Sequence, residues 1–162
     1  MPTLKFAKLR PDAVIPSKRD EDSDYDLYAC FDEPELVIPP LSTAFIPTGL
    51  ISAFESDLGV KFEERGSNSK WCGIVQAGVI DSGYRGEWLV AMYNGNSLPV
   101  HITKAADRVQ RTETAVLVPY SKAVCQFNVR RIYDTEIETL SPEEILSIES
   151  QRGQGKLGSS GK

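Results

Sequence analysis

The sequence predicts an all-β domain. Short alternating or β-branched stretches recur along it, turn residues separate them every eight to twelve positions or so, and only one segment carries helix signals. The first stretch, 4–9, sets Leu4 and Phe6 against Lys5 and Lys8, the period-two pattern of a half-buried strand. Stretches 36–38 and 43–46 flank Pro39-Pro40, and Pro47-Thr48-Gly49 ends the second of them. A strand over 58–62 follows, then one over 73–79 that leads to the turn Asp81-Ser82-Gly83. Stretch 88–93 stops at Asn94-Gly95-Asn96, and 115–118 and 124–132 complete the set. Many short strands punctuated in this way make a sandwich or a barrel. The helix signal is Ser141-Pro142-Glu143-Glu144: serine caps, proline suits the first helical position, and Glu144 completes a capping box. This short helix is expected to run to about Glu149, and no internal repeat is present.

With 162 residues, one hydrophobic core is the expectation. An apolar share of 41% and a charged share of 25% match ordinary globular proteins, and no apolar run approaches the roughly 20 residues that a membrane span requires. The first ten residues lack the apolar stretch of a secretory signal. Cys30, Cys72 and Cys125 are odd in number and widely spaced, which argues against a disulfide framework or a structural zinc site. A cytoplasmic protein that needs no membrane is therefore expected. The net charge of −5 argues against a nucleic-acid partner, because binding a phosphate backbone draws most of its affinity from basic surface. An acidic chain can still hold a single phosphate ligand through a few arginines, backbone amides and a divalent cation. After Ser150 the composition shifts: residues 152–162 contain four glycines and one apolar side chain, Leu157. Such a segment buries too little surface to order itself, so the chain divides into a β domain, 1–150, and a flexible tail, 151–162.

Three segments could carry chemistry. Tyr25-Asp26-Leu27-Tyr28 places a carboxylate within a strand-like apolar stretch, where an unpaired charge is costly; Asp26 is either held by turn amides or paired for function. Glu64-Arg65-Gly66-Ser67-Asn68-Ser69-Lys70 gathers a guanidinium, hydroxyls and glycine after a strand, a composition that can cradle phosphate or form a solvated loop. From Gly78 to Glu87, a strand ends in Asp81, a glycine-containing turn follows, and Tyr84 precedes the next strand. A hairpin with Asp81 at one shoulder and Tyr84 at the other would form a small pocket. Asp81 could there accept a proton from water or simply accept turn amides. The tail reads as a linker or as a phosphate lid. His101 is the only histidine and has no nucleophile near it in sequence, so it is read as a plain strand residue and a histidine triad is disfavoured.

In order and content, these segments resemble the five motifs of the trimeric deoxyuridine triphosphatase family, from Ser23 to Gly161, with Gly78 to Gly86 the closest match. The resemblance implies a distorted jelly-roll subunit and a homotrimer with shared active sites. It implies magnesium-dependent hydrolysis of dUTP to dUMP and pyrophosphate, which limits uracil in DNA and supplies dUMP for thymidylate synthesis. Carried onto this chain, Asp81 activates the attacking water. Tyr84 packs on the deoxyribose, and the backbone of Gly78, Val79, Ile80 and the following turn reads uracil. Arg65, Gly66, Ser67 and Gln126, with Arg152, Gly158, Ser159 and Ser160 of the tail, hold the phosphates, and Asp26 supports the magnesium ion through water.

The chain departs from the family pattern in several places. Asp24 replaces the usual glycine, and Arg65-Gly66-Ser67 stands for Arg-Ser-Gly, so the contacting hydroxyl is Ser67 or Ser69. Leu157 replaces the aromatic that covers the base. Either Asp107-Arg108-Val109-Gln110 or 122–127 supplies the fourth motif; the second, with Gln126, is preferred and requires an insertion before it. The related dCTP deaminase branch would place a glutamate ten residues beyond Asp81, where this chain has Ala91. A third reading is a nucleotide-switched trimer that controls a regulatory protein partner.

Overall fold

The computed structural model describes residues 2–151 together with Gly153 and Gln154. Its strands, in chain order, are β1 Lys5–Lys8, β2 Tyr25–Tyr28, β3 Glu35–Ile38, β4 Thr43–Pro47, β5 Leu50–Ala53, β6 Leu58–Glu63, β7 Gly73–Gln76, β8 Val79–Asp81, β9 Leu89–Asn94, β10 Val100–Thr103, β11 Gln110–Arg111, β12 Val116–Pro119 and β13 Ala123–Arg131. They form sheets ordered β1-β5, β11-β12-β10-β3, β2-β13-β6-β8 and β4-β9-β7. Every pairing is antiparallel except that of β10 with β12. The all-β class and the single short helix follow the expectation from sequence.

The differences have local causes. The stretch 73–79 is two strands in two sheets, because Ala77 adopts a left-handed φ of 48° and turns the chain from β9 toward β6. The next residue, Gly78, lies so close to Phe62 that an added β-carbon would sit 2.9 Å from Phe62 Cβ and 3.0 Å from its carbonyl. Its carbonyl accepts from Phe62 N at 2.7 Å, which docks β8 onto β6. Strand β5 escapes a pattern search because its inward positions are Leu50 and Ser52, and the buried serine breaks the apolar alternation.

Ser52 is buried to satisfy a tryptophan. Trp88, fully enclosed, donates from Nε1 to Ser52 Oγ at 3.0 Å. Phe6, Phe62 and Phe127 surround it with ring centroids 5.0, 5.5 and 5.2 Å away, within the range of favourable aromatic pairs. Trp88 thus joins β1, β5, β6 and β13 in one core. Cys30 and Cys125 are buried in that core, and desolvation pushes both thiols up from their ordinary values; all three cysteines are free.

Beyond β13, residues 133–150 are exposed throughout. The helix α1, Pro142–Ser147, has the expected capping box: Glu144 N donates to Ser141 Oγ at 3.2 Å, and Ser141 N donates to Glu144 Oε2 at 2.8 Å. It ends two residues before Glu149, where Ile148 turns extended. None of its residues is buried, so Ile145, Leu146 and Ile148 face solvent on a single subunit. No described helix is long and apolar enough to cross a membrane.

Removing the central indole leaves a cavity and strands the Ser52 hydroxyl. Trp88→Ala is expected to destabilise the domain by about 3–5 kcal/mol, read as a lower urea midpoint at similar slope. An unchanged midpoint would refute the placing of Trp88 at the centre of the core.

Candidate active site

The longest strand, β13, positions the site. Cys125 and Phe127 point into the core, so by the period of two Gln126 points away from it. Gln126 stands opposite Asp26 of β2 on one side and Glu63 of β6 on the other. Directly opposed residues share a face of the sheet, and these three polar side chains form a row across it.

After Glu63 the chain leaves the sheet and Arg65 turns back over the row. Its fork grips Asp26 with both arms, Nε to Oδ1 at 2.7 Å and Nη2 to Oδ2 at 3.1 Å. Its third nitrogen, Nη1, donates to Ser67 Oγ at 3.3 Å. Gln126 Nε2 donates to the Glu64 carbonyl at 3.1 Å. A planar guanidinium held bidentately keeps its orientation, so Asp26 fixes Arg65 before any ligand arrives. This partner settles how Asp26 tolerates its place in a strand: an arginine holds its side chain, while only its own backbone N–H bonds to Ser17 O, at 3.0 Å.

The loop that carries Arg65 and Ser67 continues as a 3-10 helix, Gly66–Lys70. Asn68, buried within it, donates from Nδ2 to the Val124 carbonyl at 3.0 Å and so ties the loop to β13 beside Gln126. Sequence reading passed over Asn68 as a loop residue; a polar side chain between Ser67 and a buried tryptophan, Trp71, was the available signal. Ser67 lines a cavity with Arg65 and Gln126, whereas Ser69 turns its hydroxyl to the Gly66 carbonyl at 2.7 Å.

Two polar cavities meet at Arg65 and Gln126. One, about 650 Å³, is bounded by Asp26 and the loop from Ser17 to Asp24, whose Arg19–Asp22 ion pair folds it on itself. The other, about 470 Å³, is bounded by Ser67, Lys70, Arg108 and Lys122. The two candidate fourth-motif segments therefore converge. Val109 and Arg108 from one line the second cavity with Gln126 from the other, while Gln110 is taken up in β11 opposite Leu117.

Asp81 and Tyr84 lie elsewhere. Asp81 pairs with Gly59, four residues along β6 from Glu63, which at roughly 3.3 Å per residue sets it about 13 Å from the polar row. The expected hairpin is corrected: Tyr84 N donates to Asp81 O at 3.0 Å in a single turn, but β8 pairs with β6 and β9 with β4 and β7. The chain passes from one sheet to the other here, so Tyr84 has no strand partner across the turn. Its hydroxyl donates to the Glu87 carbonyl at 2.9 Å, and its ring lies over Gly86, where any β-carbon would run into it. Arg85 braces the turn by donating to the Ser82 and Tyr84 carbonyls. Ala91 is buried in β9, and His101 sits in β10 with Nδ1 3.0 Å from Glu35 Oε2. Arg152, Leu157, Gly158, Ser159 and Ser160 lie outside the described residues.

Because Asn68 anchors the Arg65 loop through one side-chain bond, Asn68→Ala leaves a buried carbonyl without a donor. A stability loss of about 1–3 kcal/mol is expected, with faster amide exchange over Gly66–Lys70. Unchanged exchange in that loop would refute the anchoring role.

Comparison with known proteins places this geometry. A family model described as dUTPase matches residues 11–111. The deoxyuridine 5'-triphosphate nucleotidohydrolase of Clostridioides difficile is 30% identical over 166 residues, covering 99% of this chain and 99% of that protein. The mitochondrial human protein of the same description is 30% identical over 162 residues, covering 98% of this chain; the chain spans 55% of that longer relative. Among solved structures, the Staphylococcus bacteriophage 80alpha dUTPase with dUpNHpp shares the fold at a TM-score of 0.76 and 20% identity, covering 99% of both chains. The dUTPase of Staphylococcus aureus phage phi11, described as coordinating a structural Mg(II) ion, does so at a TM-score of 0.68 and 18% identity, covering 88% of this chain and 99% of that one. With a matching family model over most of its length and full-length relatives at 30% identity, this chain belongs to the dUTPase family.

Proposed function

We propose that this chain hydrolyses dUTP to dUMP and pyrophosphate in the cytoplasm, as a homotrimer with magnesium. The observation that carries the reading is the Asp26–Arg65–Gln126 row, a pre-oriented guanidinium and amide at the meeting of two polar cavities. A triphosphate matches such a site, because Arg65 presents fixed donors to phosphate oxygens with no further reorganisation.

Among the described residues no cluster of three acidic, histidine or cysteine side chains could cage a metal. That suits magnesium, which keeps several waters and is commonly held by one or two carboxylates together with substrate phosphates. Asp26 would hold it, and when bound the ion would neutralise charge on the leaving pyrophosphate. Arg65, Gly66, Ser67 and Gln126 orient the phosphates, with Arg152, Gly158, Ser159 and Ser160 of the tail as further donors. Leu157 would cover the base. Asp81 removes a proton from the water that attacks the α-phosphorus, and Tyr84 packs against the deoxyribose and crowds out a 2′-hydroxyl. The backbone of Gly78, Val79 and Ile80 reads uracil.

The distance between Asp81 and the polar row supports the trimer. One subunit separates the water-activating carboxylate from the phosphate donors, and a second subunit could bring its own Asp81 to them. Phe45, Ile74 and Val79, about half exposed or more, and the apolar side chains of α1 are surfaces that such an assembly could cover. Buried Ala91 leaves no acid for a deaminase, and no feature of the site favours a binding-only role.

Pyrophosphate release with dUTP, dCTP, dTTP and UTP in the presence of magnesium tests the function; release from dUTP alone is expected, and equal release from all four would refute it. Asp81→Asn keeps the side-chain shape but removes the proton acceptor, so turnover should fall about 10²–10⁴-fold while binding of a non-hydrolysable dUTP analogue survives. Near-normal turnover would assign water activation to another group. Tyr84→Ala should raise the kcat/KM for UTP relative to dUTP, and an unchanged ratio would place sugar discrimination elsewhere.

A further inference from the structure

The second cavity has a charge balance unlike the rest of the molecule. On a chain of net charge −5, Arg65, Lys70, Arg108 and Lys122 line it and no carboxylate does. Arg65 is neutralised by Asp26. Lys70, Arg108 and Lys122 are exposed, and none of them forms an ion pair or donates a side-chain hydrogen bond among the described residues. Three uncommitted cations brought together from three separate segments repel one another, and an anion placed between them relieves that repulsion. The first cavity differs: Glu21, Asp22, Asp24 and Asp26 oppose its cations there. A polyanion spanning both cavities would therefore find its favourable end in the second.

We propose that Arg108, together with Lys70 and Lys122, binds the terminal phosphates of the nucleotide, as an additional binding set beyond Arg65, Ser67 and Gln126. This inference rests on the triphosphate reading of the site. Arg108 belongs to the segment that competed for the fourth motif, so that segment contributes its cation while Gln126 contributes the amide. Lys122 stands at the start of β13, four residues before Gln126, and Lys70 ends the 3-10 helix that begins beside Arg65. Each cation is thus carried by, or lies next to, an element that already positions the phosphate row.

Inorganic pyrophosphate is the probe, because it presents the two terminal phosphates without base or sugar. Its binding is measured by calorimetry with the full-length protein and magnesium, and its inhibition of dUTP hydrolysis is measured beside inhibition by dUMP. Arg108→Ala is expected to weaken pyrophosphate about 10-fold or more, Arg108→Ala with Lys122→Ala to weaken it further, and both to leave dUMP inhibition and the thermal midpoint unchanged. Arg108→Lys should recover only part of the loss, because a lysine cannot grip phosphate bidentately. Unchanged pyrophosphate affinity in the double variant would overturn the proposal, and so would parallel loss of pyrophosphate and dUMP, which reports a general disturbance of the site. A wild-type protein that binds pyrophosphate through Arg108 yet does not hydrolyse dUTP would uphold this anion site and refute the hydrolytic reading instead.

Discussion

The pairing of β13 with β2 and β6 is the constraint on which both core and site depend. Within three consecutive residues of β13, Cys125 and Phe127 are sealed in the interior and Gln126 is turned to the polar row. A slip of one residue would expose Phe127 and bury Gln126, because side chains alternate strictly along a strand. The aromatic cluster around Trp88 opposes such a slip, since Phe127 fills one side of it. The hydrophobic core thereby fixes the register, and the register sets Asp26 beside Gln126 and lets Arg65 reach Asp26 from the end of β6.

The Asp26–Arg65 pair occupies an intermediate environment, its two side chains 30% and 27% exposed. There the pair costs less desolvation than in the deep interior yet is screened less than on the open surface. Its value lies in orientation more than in stability. The guanidinium is held by its carboxylate and by Ser67, while Asn68 fastens the loop to β13. Donors immobilised before a ligand arrives do not lose that freedom on binding, which is how a chain of net charge −5 can hold a highly charged anion in one place.

The turn at Asp81 is built on different supports. It rests on the docking of Gly78 against Phe62, on Arg85, and on Tyr84 lying over Gly86. These contacts belong to the opposite end of β6 from the polar row, so one strand carries both halves of the machinery without joining them. The exposed segment after β13, with the apolar side chains of α1, has no partner within the described subunit. Separation of the halves and unburied apolar surface are features that association with further subunits would resolve.

The sequence by itself determined the all-β class, most of the strands and the capped helix, because period-two alternation, turn residues and the Ser141–Glu144 box are local signals. It also singled out Asp26, Arg65, Ser67, Gln126, Asp81 and Tyr84, since clustered polar and glycine residues next to apolar stretches stand out in composition. Tertiary structure alone decided the rest. That Asp26 is held by Arg65, that Asn68 anchors the loop, that Arg108 shares a cavity with Gln126, and that Asp81 stands apart from them are facts about residues 15 to 60 positions distant in the chain or brought together by strand order. Likewise, the break of the 73–79 stretch at Ala77 follows from its left-handed backbone and from the close approach of Gly78 to Phe62. No window along a sequence registers such contacts, because their energy arises from packing between strands and not from any preference of the residues themselves.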